Sequence, residues 1–438
     1  MKQDTKDLTQ GKLGIQILLF SIPLMLSNLL QVLFNMADIA VIGQFAGSNA
    51  LGAVGSTTTL VALFTGFLIG ISGGVNVLVA LRFGAKNEKE LSETVHSALI
   101  ICFITGVILL ITGVAFSRNI LEILHTKEEL IEGATLYLRI YFLGMPALAV
   151  YNYGNAFFSA VGDTKRPLRY LTLAGVINVM LNLFFVVICG MDVDGVATAS
   201  VISQYISAAL ILKALFSSKE PFALRWKELR LTRDKAAAII TIGLPSGIQY
   251  AIFQIANLFV QMGVNSFSAV MVAGNSAAAN ADSLVYDVMA AFYTACGSFI
   301  GQNYGAKQKK RVLQSYFISL AYSFGIGTVM GLTLVCLGPH FLALFTRDSA
   351  VIEAGMQRLL IMGFSYGVSA FMDSTIAASR GLGESVVPTI IVILGSCVFR
   401  IIWIYTVFAY FGTITSIYLL YVFSWGITAF LEILYFIN

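Results

Sequence analysis

The stretch Val-Ala-Leu-Arg-Phe-Gly-Ala-Lys at residues 79–86 returns as Ile-Gly-Gln-Asn-Tyr-Gly-Ala-Lys at 300–307, an offset of 221. The same offset pairs Ile131-Glu132 with Ile352-Glu353, Gly162 with Gly383, and Pro167 with Pro388. A chain made of two copies of one unit is expected to fold as two like bodies. Composition then says what surrounds them. With 58% hydrophobic and 11% charged residues, the 438-residue chain has too little polar surface to coat a soluble body. An internally duplicated, all-α integral membrane protein is therefore expected, with a transport path between its halves.

A spanning helix needs about 20 apolar residues. Division at charged and Gly/Asn/Pro-rich breaks gives twelve such segments, near 15–41, 50–81, 95–116, 134–160, 168–190, 195–216, 237–263, 273–302, 312–337, 352–378, 387–410 and 413–436. The turn between the seventh and eighth is expected within Ser266–Ser276, at Gly274-Asn275. Six spans per copy make two pseudo-symmetric six-helix bundles that enter the membrane in the same direction. The expected division is an N-terminal lobe at 1–216, a linker at 217–236 and a C-terminal lobe at 237–438. Of the 27 Lys and Arg residues, 21 fall in the first tail and the even-numbered connections, which predicts that both ends are cytoplasmic. The polar start, Met1 to Lys12, lacks the apolar stretch and cleavage site of a removable signal. The basic linker, with Arg225, Lys227, Arg230 and Arg233, reads as a surface helix against anionic lipid with Trp226 at the interface, rather than a nucleic-acid site.

Ionisable groups within spans are costly, and each asks for a reason. Asp38 lies late in span one beside Asn35, where a carboxylate can release a proton or hold a cation. Asn178 and Asn182 share a face of span five, and Ser200 lies in span six; their oxygens can complete a cation shell or bond between helices. Asp373 and Arg400, on spans ten and eleven, read as partners, either a fixed ion pair or a switch. In span eight, Asp282 is expected to be wet at the outer end and Asp287 to face a cavity, with Gln254 and Asn257 of span seven.

Glycines 66, 70 and 74, and 327 and 331, form small-residue ladders that suit close helix packing. Pro23 and Pro245 hold near-equivalent places in the two copies, Pro146 interrupts span four, and each removes a helical hydrogen bond. The 53 aromatic residues and 13 Met suit an adaptable cavity for flat cations. His96, His125 and His340 are scattered, and the five cysteines sit singly in apolar stretches, so neither a metal site nor a disulfide framework is expected. With no Walker loop, no Ser/His/Asp grouping and no His-x-x-x-His, the chain is not expected to be an enzyme, and an ion gradient must supply energy.

Pro23 with Asn35 and Asp38 on span one, Gly301-Gln-Asn-Tyr-Gly-Ala-Lys after span eight, and Arg380-Gly-Leu-Gly-Glu-Ser-Val-Val-Pro after span ten resemble the multidrug and toxic compound extrusion (MATE) family along essentially the whole chain. The resemblance implies a monomeric, plasma-membrane antiporter that needs no cofactor and exports cationic, often aromatic, drugs and toxins in exchange for H+ or Na+. It also implies that Asp38 is the first-helix aspartate, and that Asn178, Asn182 and Ser200 form the first-lobe cation site, with Na+ as the one metal such a site would take. The remaining cavity is expected from Asn35, Gln254, Asn257, Asp287, Asp373 and Arg400. Asn182 stands where a carboxylate is often found, and the acids of the NorM-like branch are missing near Gln254 and Ser369. The chain therefore looks closer to the DinF-like and related branches. A lipid-linked oligosaccharide flippase of the same superfamily is the alternative, and it would call for arginines such as Arg139, Arg358 and Arg400.

Overall fold

The computed structural model describes residues 6–124, 126–220 and 222–437, so the first five residues of the tail and His125 lie outside the described residues. Those described form helices and turns, with no strand. In chain order the helices are α1 (Leu13–Ala46), α2 (Ser48–Gly84), α3 (Glu88–Ile123), α4 (Glu128–Leu143), α5 (Met145–Ala160), α6 (Lys165–Ile188) and α7 (Val193–Phe216). The second copy follows as α8 (Arg233–Asn265), α9 (Ala269–Gly305), α10 (Lys309–Leu342), α11 (Ser349–Gly381), α12 (Val386–Phe411) and α13 (Ile414–Ile437). Eleven of these are long and apolar enough to cross a membrane, and the twelfth span is α4 and α5 taken together, bent by 50°. The bend falls where the sequence put a proline: Pro146 opens α5, where its missing N–H costs no helical bond.

Two expectations about connections change. The turn between α8 and α9 is at Ser266–Ser268, and Gly274-Asn275 lie inside α9. Ser268 caps α9 by accepting from the Met271 N–H, and Gly274 is used for packing, since a Cβ there would meet the Gly355 N at 2.6 Å. The linker is not a surface helix. Its only helical turn among the described residues is Trp226–Glu228, because Phe222, Ala223 and Leu224 bury themselves in the core of the first copy. Trp226 is exposed and stacks on Phe216, ring centroids 4.6 Å apart.

The chain forms two compact units, and their limits fall inside helices. Unit 1 holds Leu26–Ile248 with Lys6 and Asp7; unit 2 holds Leu8–Met25 and the residues from Gln249 on. The first half of α1 thus belongs with the second copy, and the first half of α8 with the first. In unit 2, Leu13, Ile17, Phe20 and Leu24 pack on Phe292, Ala295 and Phe299 of α9. In unit 1, Gly243 and Gly247 of α8 lie against Gly70 and Gly74 of α2, so close that a Cβ at Gly74 would meet the Gly243 N at 2.7 Å. Both switches come within a turn of a proline. Pro23 and Pro245 leave the Leu19 and Thr241 carbonyls without their helical donors, which loosens each helix where it passes from one unit to the other.

Polar latches hold the two transferred half-helices. The Leu8 N–H donates to Gln302 Oε1 at 3.0 Å, and Asn303 Nδ2 donates to the Leu8 carbonyl at 3.3 Å. Arg311 donates to Asn303 and to the carbonyls of Leu8, Gln10 and Gly11. The Gln-Asn of the repeated motif therefore holds the lead-in to α1. In the first copy Arg82 and Glu90, offset by 221 from Asn303 and Arg311, pair at 2.7 Å, and Glu90 also takes Lys235 of α8 at 3.0 Å. Position is kept between the copies while the chemistry changes.

Candidate functional site

In unit 1, α1, α6 and α7 converge on Asp38. Asn182 Nδ2 donates to Asp38 Oδ1 at 2.5 Å and reaches Asn178 Oδ1 at 3.3 Å. Asn178 Nδ2 donates to Ser200 Oγ at 3.5 Å, and Ser200 lies within electrostatic reach of the Asp38 carboxylate. The i, i+4 spacing on α6 brings this about by putting both amides on one face. Asn182 is fully buried, Asn178 and Ser200 nearly so, and Asp38 half-buried. Tyr137 and Tyr141 of α4 lie within electrostatic reach of Asp38, and no cation among the described residues does. Asn35 points elsewhere: it is exposed and bonds to none of the four.

The four expected coupling residues thus come together. Their oxygens are a carboxylate, two amides and a hydroxyl, the donor types a hard monovalent cation takes. As oriented, however, Asn182 turns its N–H toward the carboxylate, and its own Oδ1 has no partner among the described residues. That arrangement serves a bare carboxylate. A protonated one can keep the bond through its carbonyl oxygen, whereas a cation would ask the amide to turn over.

The expected cavity residues of unit 2 divide. Arg400 is buried, donates to Asn257 Oδ1 at 3.0 Å and to Ser424 Oγ at 3.3 Å, and lies over the Phe253 and Tyr421 rings at 4.5 and 4.7 Å. No ion pair joins it to Asp373 among the described residues, so the expected partnership is replaced by an amide, a hydroxyl and two ring faces. Asp373, Gln254 and Asp287 are half-buried. Asp282, expected to be wet, instead pairs with Arg358 of α11. Tyr366 donates to the same carboxylate, Arg358 Nη1 donates to Asn275 Oδ1 at 2.8 Å, and Tyr418 and Tyr421 cover the guanidinium.

Sequence reasoning passed over Glu432 and gave Arg380 only as the start of a motif. Arg380 Nη2 reaches Gln249 Oε1 at 2.7 Å, and Glu432 of α13 is fully buried. An acid six residues from the chain end reads as a helix terminus reaching water. The interruption of an otherwise apolar run was the available signal. No group of three or more His, Cys, Asp or Glu suited to a metal occurs among the described residues.

Two helical units with the membrane-spanning count of a duplicated six-helix bundle, and a polar site buried in one of them, are the architecture of a multi-pass membrane transporter. The MatE family model matches residues 23–184 and again 245–406, and the chain belongs to this family. A probable multidrug resistance protein of Bacillus subtilis, YpnP, is 28% identical over 88% of this chain and 87% of its own. An FAD transporter of Shewanella oneidensis is 24% identical over 83% and 81%, and the multidrug export protein MepA of Staphylococcus aureus 20% identical over 84% and 82%. Relatives named NorM, such as that of Thermotoga maritima at 26% identity over 86% of this chain and 82% of its own, occur beside these. Among solved structures, a MOP-superfamily transporter from Pyrococcus furiosus superposes with a TM-score of 0.92 at 22% identity, covering 100% of this chain and 98% of that one, which shows the fold.

Proposed function

We propose that the chain is a multidrug efflux antiporter of the plasma membrane, with both ends in the cytoplasm, exporting cationic, often aromatic, compounds in exchange for H+ by alternating access. Asp38 carries the reading: a carboxylate among buried amides, with no cation beside it, changes its surroundings greatly when it gains or loses one positive charge. Coupling requires that the ion bind the inward- and outward-open states unequally, and the charge-assisted bond from Asn182, which weakens when Asp38 is neutralised, is the contact through which the ion would act. Proton is favoured over Na+ because only one formal charge lies at the site. The missing acids near Gln254 and Ser369 support a place nearer the DinF-like branches than NorM. A flippase would need free guanidiniums for pyrophosphate, and Arg358 is held by Asp282. Asp38→Asn is expected to abolish gradient-driven uptake of a fluorescent cation into inverted vesicles, with membrane insertion unchanged. Uptake at the parent rate would overturn the assignment.

A further inference from the structure

Glu432 has no place in that cycle. It is fully buried on α13, and neither carboxylate oxygen has a hydrogen-bond partner among the described residues. Arg380 and Asp373, both on α11, lie within electrostatic reach of it, and Arg400 of α12 acts on Asp373 in turn. Tyr435 is its titratable neighbour on α13. The cluster is neutral only on paper, since its groups do not bond one another. Arg380 is turned to Gln249 and Arg400 to Asn257, while Asp373 Oδ2, Arg380 Nε and Arg400 Nη2 are also without partners.

A bare carboxylate with no donor on either oxygen is among the costliest groups an apolar interior can hold. Three ligands could relieve it. A metal cation is opposed by the guanidiniums and finds only two acids, and a bound organic cation would face the same repulsion. A proton is opposed by the guanidiniums as well, but it needs no coordination shell: it ends the burial of a bare charge on Glu432 and leaves Asp373 facing Arg380 and Arg400.

We propose that Glu432 is a proton-binding site of unit 2, occupied in this conformation, that exchanges its proton through the unpartnered Oδ2 of Asp373. Asp373 is half-buried as a residue, with its Oδ2 enclosed, so a proton received on Oδ2 leaves by the exposed part of the same side chain. The two side chains do not bond in this conformation, so the exchange requires them to come within hydrogen-bond distance, where the Glu432 O–H bond breaks as the Asp373 O–H bond forms. The site does not depend on the role given to Asp38.

Infrared spectroscopy of the purified full chain in lipid discs, in H2O and D2O, tests this in an Asp38→Asn background so that position 38 contributes nothing. At neutral pH a protonated-carboxyl carbonyl band is expected, lost in Glu432→Gln and moved in Glu432→Asp. An unchanged band in Glu432→Gln overturns the proposal. Should that variant fail to fold, Asp373→Asn is the second arm: the Glu432 band should persist, and its loss on a jump to alkaline pH should slow at least tenfold. A band lost at the parent rate would overturn the exchange route. Efflux by Asp38→Asn is read separately, so either assignment can fail without the other.

Discussion

At the scale of single residues, the Asp282–Arg358 pair shows what a buried charge demands. Arg358 has its carboxylate, an amide oxygen and two tyrosine faces, and Asp282 has in addition the Tyr366 hydroxyl. Removing one partner leaves the other charge buried and alone, which costs about 3–5 kcal/mol, whereas removing both with apolar groups of similar volume is often neutral. Asp282→Asn is therefore expected to lower the melting temperature in detergent sharply, and Asp282→Leu with Arg358→Met to restore most of it. A double variant no better than Asp282→Asn would mean that the pair is not the source of the loss. Nothing in the sequence announced the pair, because its members lie 76 residues apart and neither shows a local partner. In the Asp38 group, a lone acid in an apolar run was legible and spacing put Asn178 and Asn182 on one face, but joining them and Ser200 to Asp38 was what the family resemblance implied.

At the scale of elements, the small-residue ladders were readable as packing surfaces, and the structure makes the reading position-specific. On α2, Gly74 lies against the backbone of α8, where an added Cβ would fall 2.7 Å from the Gly243 N and 2.8 Å from the Ile239 carbonyl. At its neighbour Gly73, an added Cβ would meet nothing within 4 Å. Alanine at both positions gains the same helix propensity, up to about 1 kcal/mol. Only at Gly74 must two helix backbones part. The two substitutions should then have opposite signs, Gly73→Ala raising the melting temperature by a small amount and Gly74→Ala lowering it. Equal shifts in a thermal-melt comparison would show that α2 and α8 do not approach so closely. In α10 the same logic places Gly331 against the Gly363 carbonyl of α11. What the sequence could not supply was which ladder faces which helix, since spacing reports a face and not its partner.

At the scale of the whole molecule, duplication conserved the scaffold and let the polar groups diverge. The offset of 221 that pairs Pro167 with Pro388 carries Asn178 to Phe399, next to Arg400. Corresponding helices thus hold amides at a carboxylate in one copy and a guanidinium between aromatic rings in the other. The repeat predicted two like bundles but not that each takes its leading half-helix from the other copy, because hydropathy cannot say which apolar face a span will meet. That transfer has a consequence for the chain cut in the linker. A fragment ending near residue 220 lacks the α8 residues that cover Gly70 and Gly74, and a fragment starting near 222 lacks Leu13, Ile17, Phe20 and Leu24, which cover Phe292 and Phe299. Each such side chain contributes roughly 1.5–3 kcal/mol when buried from water, and in lipid its loss leaves the packing gap instead. Either fragment expressed alone should aggregate or be degraded, whereas the two expressed together should copurify through a tag on one of them and survive high salt, since apolar faces dominate both transfers. Copurification lost in high salt would shift the weight to the Arg311 and Glu90 latches, and a fragment that is monodisperse alone would mean that its unit does not need the borrowed half-helix.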